Sequence, residues 1–127
     1  MTHESGRRPL ITVIDDDQSV RESLPELLRE SGYEVETFAS ANEFLTSGDP
    51  GRTKCLVLDV AMPDISGPEL QRELQRRGQS MPVVFITAHG DGTMRPRLLE
   101  QGAVDCLFKP FTESALLAAI GSALRVA

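Results

Sequence analysis

Short apolar runs punctuate the chain at intervals, and between them apolar positions recur at helical spacing. Leu10 to Ile14 is apolar and β-branched and reads as a strand. Val20, Leu24, Leu27 and Leu28 then repeat as the inner face of a helix, which Gly32 stops where a left-handed residue is tolerated. Pro25 falls inside that helix. It removes one hydrogen bond and crowds the carbonyl of Arg21, so a bend or local widening is expected there. Glu34 to Phe38 alternates as a half-buried strand, and Ser40 with Glu43 has capping-box spacing ahead of a short helix carrying Phe44 and Leu45. Gly48-Asp49-Pro50-Gly51 closes this unit as a loop.

The second half repeats the alternation. Cys55 to Leu58 is continuously apolar, as a central strand covered on both faces must be. After the loop residues Met62 to Gly67, Ser66, Pro68 and Glu69 together mark a helix start, and Leu70 and Leu74 give that helix its buried side. Val83 to Ile86 predicts a fourth strand, followed by the turn Gly90-Asp91-Gly92 and a helix through Leu98 and Leu99 that Pro96 forces to be short or late-starting. Cys106 to Phe108 is the last strand. Thr112 caps a final helix whose Leu116, Leu117, Ile120 and Leu124 face inward. Five strands alternating with five helices predict an α/β fold, a (βα)5 doubly wound five-stranded parallel sheet with right-handed crossovers. Residues 1–8 read as a flexible tail and 9–127 as one domain.

Composition narrows the possibilities. A chain of 127 residues suits a single core that buries roughly two thirds of the unfolded surface. The formal net charge of −6 argues against direct nucleic-acid binding, which calls for a clustered basic surface. Arg72, Arg76 and Arg77 read as the solvated face of a helix. No run approaches the roughly 18 apolar residues of a membrane span and Met1 to Arg8 lacks a signal-peptide core, so a cytoplasmic protein without a membrane partner is expected. Cys55 and Cys106 each lie inside an apolar run and are expected to be buried free thiols.

The chemistry sits at the ends of the predicted strands. The first ends in Asp15-Asp16-Asp17, the third in Asp59, the fourth in Thr87 and the fifth in Lys109-Pro110. In an open α/β sheet the carboxyl ends of the strands border the ligand-binding crevice. Asp15, Asp16 and Asp59 brought together repel one another unless a cation shares the site, and a hard divalent ion such as Mg²⁺ suits an all-oxygen set better than zinc does. Asp59, alone at the end of the most apolar strand, is the best-placed nucleophile for an aspartyl-phosphate. Thr87 would hydrogen-bond a phosphoryl oxygen and Lys109 would neutralise another. His89, two residues past Thr87, is either a surface histidine or an influence on water attack at that site.

These residues carry a likeness. The acidic cluster, Asp59 followed by Met62-Pro63 and Gly67, the segment Ile86-Thr87-Ala88, and Lys109-Pro110-Phe111 resemble, in order and spacing from about Leu10 to Leu124, the receiver domain of two-component response regulators. The resemblance implies a CheY-like, flavodoxin-like sheet of strand order 2-1-3-4-5. It implies a phosphoacceptor switch, not an enzyme, in which Asp59 takes a phosphoryl group from a sensor histidine kinase. Mg²⁺ would be held by Asp16, Asp59 and the backbone carbonyl of Ala61, with Asp15 helping through water. It implies too that Thr87 and Lys109 contact the phosphoryl group and that the Lys109–Pro110 bond is cis.

Ala88-His89-Gly90 and Gly102-Ala103-Val104-Asp105 look most like receivers joined to a C-terminal helix-turn-helix output domain. The chain is therefore expected to be a single-domain regulator or a piece of a longer transcription regulator. Its expected partners are the kinase and either an output domain or a second copy at the face of the fourth helix, fifth strand and fifth helix, beside Pro96. One position departs from the pattern. Receivers usually place Tyr or Phe three residues before the lysine, at the switch position where this chain has Cys106. Cys106 and the two helix prolines also motivate an alternative, a pseudo-receiver that binds proteins without phosphorylation.

Overall fold

The computed structural model describes residues 8–126. The predicted tail over residues 1–8 thus lies outside the described residues except for Arg8, which is exposed. The chain alternates strand and helix from end to end: β1 (Leu10–Ile14), α1 (Gln18–Glu30), β2 (Glu34–Phe38), α2 (Ala41–Ser47), β3 (Thr53–Asp59), α3 (Gly67–Arg76), β4 (Val83–Thr87), α4 (Met94–Glu100), β5 (Asp105–Phe108) and α5 (Glu113–Val126). The strands form one parallel sheet in the order β2-β1-β3-β4-β5. That is the expected doubly wound topology, with the reversal of strand order falling between β1 and β3.

Both faces of the sheet are covered, which explains why β1, β3 and β4 read as nearly continuous apolar runs. One layer packs Leu24 and Leu28 of α1 and Leu116 and Ile120 of α5 on Ile11, Val13, Cys55, Val57, Val84 and Ile86. The other packs Phe44, Leu70, Leu74 and Leu98, from α2, α3 and α4, on Ile14, Leu56, Leu58, Phe85 and Cys106. Successive residues of each central strand thus alternate between two dry layers. At about 25 cal/mol per Å² of apolar surface, each fully buried Leu, Ile or Phe stabilises the fold by roughly 1.5–3 kcal/mol relative to exposure.

Local signals explain most helix ends. Asp17 caps α1 by accepting from the Ser19 N–H, and Gly32 follows the helix at φ +99°. α1 continues through Pro25 as one helix. Ser66 and Glu69 form the full reciprocal capping box of α3, with proline in its first turn. At α2 only half of the box forms: Ser40 accepts from the Glu43 N–H, but the Glu43 carboxylate reaches back one residue further, to the Ala39 N–H. The free N–H of Asn42 is taken instead by Asp64, from the loop after β3. Thr112 accepts from the Ala115 N–H at the start of α5. Glu73 pairs with both Arg76 and Arg77 on the exposed side of α3, the solvated charge face expected there. Among the described residues no helix is long and apolar enough to cross a membrane.

Candidate functional site

Backbone ladders hold the strand ends in place one step past the strands themselves. The Asp15 N–H donates to the Phe38 carbonyl (3.1 Å), the Val60 N–H to Ile86 (3.0 Å) and the Lys109 N–H to Thr87 (2.8 Å). Because Ile14 pairs with Leu58, the residues that follow, Asp15 and Asp59, emerge side by side. Asp59 in turn pairs with Ile86, and Thr87 pairs with Phe108, the residue before Lys109. The crevice is a product of register.

Asp15, Asp16 and Asp59 each present a carboxylate oxygen within 4.8 Å of the others, with Asp15 and Asp59 buried and Asp16 exposed. Lys109 Nζ donates to Asp15 Oδ2 at 2.8 Å, and Asp17 Oδ2 lies 3.9 Å from the same ammonium. The other oxygen of Asp15 accepts from the Asp17 N–H at 2.9 Å, and the Arg21 guanidinium donates to the Asp15 carbonyl. Asp15 is thereby fixed from both sides. Asp17, third in the acidic run, belongs to the helix: its Oδ1 accepts from the N–H and hydroxyl of Ser19, which hold its pKa below the usual carboxylate value.

Asp59 is the perturbed acid. Burial first, and then the hydrogen bond and charge of Asp15, push its pKa from 3.8 up to about 7, against the pull of Lys109 and of the Ala61 N–H that donates to Oδ1 at 3.3 Å. Lys109 is held above the usual lysine value: burial works against its charge, but the hydrogen bond and charge of Asp15, then the charges of Asp59 and Asp17, outweigh it. Three acids facing one ammonium leave an excess of negative charge on oxygen donors, a composition that fits a hard divalent cation.

Thr87 is buried at the same edge, yet its hydroxyl is engaged locally: it donates to the His89 carbonyl at 2.9 Å and accepts from the His89 N–H at 3.1 Å. Ala61 is exposed beside Asp59. Cys106 is not at this edge. It lies buried in the layer under α4, paired in register with Phe85, where burial raises its pKa. The Lys109–Pro110 peptide is cis. A second cleft, bounded by Gln71, Met81 and Val104, lies at the start of β4, the opposite end of that strand.

Gly67, read in the sequence as loop chemistry and as part of the family likeness, meets the backbone of the site directly. A Cβ built there would overlap the carbonyl oxygen of Asp59 and lie 2.9 Å from Cε1 of Phe85. Glycine is what lets α3 begin against the backbone of the acid. The close approach comes from two segments meeting in space.

A model of the response regulator receiver domain matches residues 11–121. The chain belongs to that family. This receiver is 43% identical over 127 residues to the response regulator protein TodT of Pseudomonas putida, covering all of the present chain and 56% of TodT. It superimposes on the response regulator StyR with a TM-score of 0.85 at 50% identity, covering 94% of this chain and 60% of that one. It likewise matches the BeF3-activated DrrB receiver domain, with a TM-score of 0.81 at 30% identity over 93% and 98% of the two chains. The receiver spans little more than half the length of TodT. Receivers of this family are phosphoacceptor switches of two-component phosphorelay signalling.

Proposed function

We propose that Asp59 is the phosphoacceptor and that the phosphoryl group comes from a phosphohistidine on a sensor histidine kinase. The observation that carries this reading is the placement of Asp59 beside Asp15 and Asp16, with Lys109 held on Asp15. An Asp59 carboxylate oxygen attacks phosphorus, the phosphorus–nitrogen bond breaks, and the imidazole leaves with a proton taken from solvent. The product is an acyl phosphate. Only the ionised acid attacks, and the positive charge of Lys109 favours that form of Asp59 against the burial and the Asp15 charge that raise its pKa. Lys109 then meets a phosphoryl oxygen, and Thr87 exchanges its bonds to His89 for another.

Asp16, Asp59 and the Ala61 carbonyl would hold Mg²⁺, with Asp15 acting through water. When bound, the ion supplies charge neutralisation for the carboxylates and for the transferring phosphoryl group. The partners proposed alongside are the kinase and an output domain or second copy at the α4–β5–α5 face.

Incubation of the chain with Mg²⁺ and acetyl phosphate, followed by intact mass measurement, tests the assignment. A phosphate-sized gain that vanishes in Asp59→Asn is expected. A folded protein with no gain, or a gain that survives the substitution, overturns it.

A further inference from the structure

β5 alternates in an informative way. Cys106 is buried under α4 and Leu107 packs towards α1 and α5, while Phe108, on the same side of the strand as Cys106, is 39% exposed. The Phe108 ring nonetheless has a close partner. A Cβ built on Gly90 would overlap Cε1 of Phe108, lie 2.9 Å from its Cδ1 and 3.3 Å from Sδ of Met94. Gly90 is not among the glycines with positive φ, which are Gly32, Gly78 and Gly102, so its backbone does not itself require glycine. The ring does. It sits where any side chain at position 90 would begin.

Gly90 directly follows His89, whose carbonyl and N–H hold the Thr87 hydroxyl. Thr87 is also the register partner of Phe108 across β4 and β5. Hydroxyl, loop and ring therefore form one closed path: Thr87 to His89 by hydrogen bonds, His89 to Gly90 by the chain, Gly90 to Phe108 by contact, and Phe108 back to Thr87 through the sheet. A small thiol at position 106, buried two residues further from the site, takes no part in it.

We propose that Phe108 is a positioning residue: its ring seats the loop of residues 88–90 while the Thr87 hydroxyl is bonded to His89, and it leaves Gly90 when that hydroxyl turns to a phosphoryl group on Asp59. This inference rests on the phosphoacceptor reading above. Release of two hydrogen bonds frees the His89 backbone, Gly90 shifts against the ring, and the ring, already part-exposed, turns towards solvent beside Met94 at the start of α4. The site thus reaches an outer surface through Phe108.

The full chain is labelled with fluorine-bearing phenylalanine at its five Phe positions, and the resonance lost in Phe108→Leu identifies Phe108. Mg²⁺ and beryllofluoride, an acyl-phosphate analogue, are then added; the analogue's own bound fluorine resonances report occupancy independently. Bound fluoride together with a displaced Phe108 resonance, and little change at Phe44, is the expected result. Gly90→Ala, whose new Cβ occupies the ring's place, is expected to displace the Phe108 resonance before anything is added. Bound fluoride with an unmoved Phe108, or an unmoved Phe108 in Gly90→Ala, overturns the inference. Absence of bound fluoride overturns the phosphoacceptor reading itself, and this inference with it.

Discussion

Replacing Asp59 by Asn should flatten the pH dependence of stability of the metal-free protein. The Asp59 pKa stands at about 7 in the fold against an ordinary 3.8, so the folded state holds this proton more tightly than the unfolded chain does. Below the lower value both states are protonated and Asp59 is neutral in the balance. Between the two values the folded state alone keeps the proton, so stability falls as pH rises through this window and then levels off. At 1.36 kcal/mol per pH unit the whole window is worth about 4 kcal/mol. The exposed carboxylate of Asp16 shows that the crevice opens to solvent, and screening there reduces the expected figure to about 2 kcal/mol. A Coulomb estimate agrees in scale: one pair of carboxylates whose oxygens lie within 4.8 Å repels by at least about 3 kcal/mol at an effective dielectric constant of about 20.

Urea unfolding followed by circular dichroism, in chelator, at steps from about pH 4.5 to about pH 8, measures the effect. The unaltered protein should lose about 2 kcal/mol more than Asp59→Asn across that range. Mg²⁺ at the alkaline end should recover the loss in the former and little in the latter. Parallel curves for the two proteins, within about 0.5 kcal/mol, would refute the claim that burial and the neighbouring Asp15 make the charge of Asp59 costly in the fold.

Three further substitutions or treatments probe neighbouring parts. Lys109→Met leaves the fully buried Asp15 without its ammonium and should lower metal-free stability by about 3 kcal/mol, with at least roughly tenfold slower phosphorylation by mass. Gly67→Ala forces a methyl group against the Asp59 carbonyl and the Phe85 ring; an overpacking loss of about 1–3 kcal/mol in urea, together with slower phosphorylation, is expected. Burial pushes the Cys55 thiol up to about 12 and raises Cys106 as well, so neither should react with a thiol reagent at mildly alkaline pH until urea is added. Rapid labelling of native Cys106 would contradict its placement under α4.

The strands were legible because β1, β3 and β4 are covered on both faces and, past Thr53 and the exposed Lys54 that open β3, leave no polar position before their carboxyl ends except Thr12. Even Thr12 satisfies the rule, meeting Thr53 at 2.8 Å inside the sheet. Strand order was not legible from the apolar pattern, since periodicity says nothing about neighbours; it followed from the family likeness. Within the site, residue types at strand ends indicated the chemistry, but pairings did not show. Nothing local says that Lys109 chooses Asp15 over Asp59, whereas the use of Asp17 on Ser19 is the ordinary capping of a helix by an acid just before it. Thr87's engagement with His89 depends on the path of the loop, and the reach of Asp64 to α2 joins residues 22 apart. The long-range contacts, Lys109 to Asp15 and Asp64 to Asn42, are decided by where separate segments meet.

The Lys109–Asp15 bond joins residues 94 positions apart, from the last strand to the first. No chain that still lacks its fifth strand, whether because synthesis is unfinished or because the edge has peeled away, can make it. In such a chain the Asp15 carboxylate has no ammonium beside it, and the crevice lacks the lysine proposed to steady the incoming phosphoryl group. Rapid acceptance of phosphate at Asp59, as proposed above, therefore requires that the first and last strands have already met.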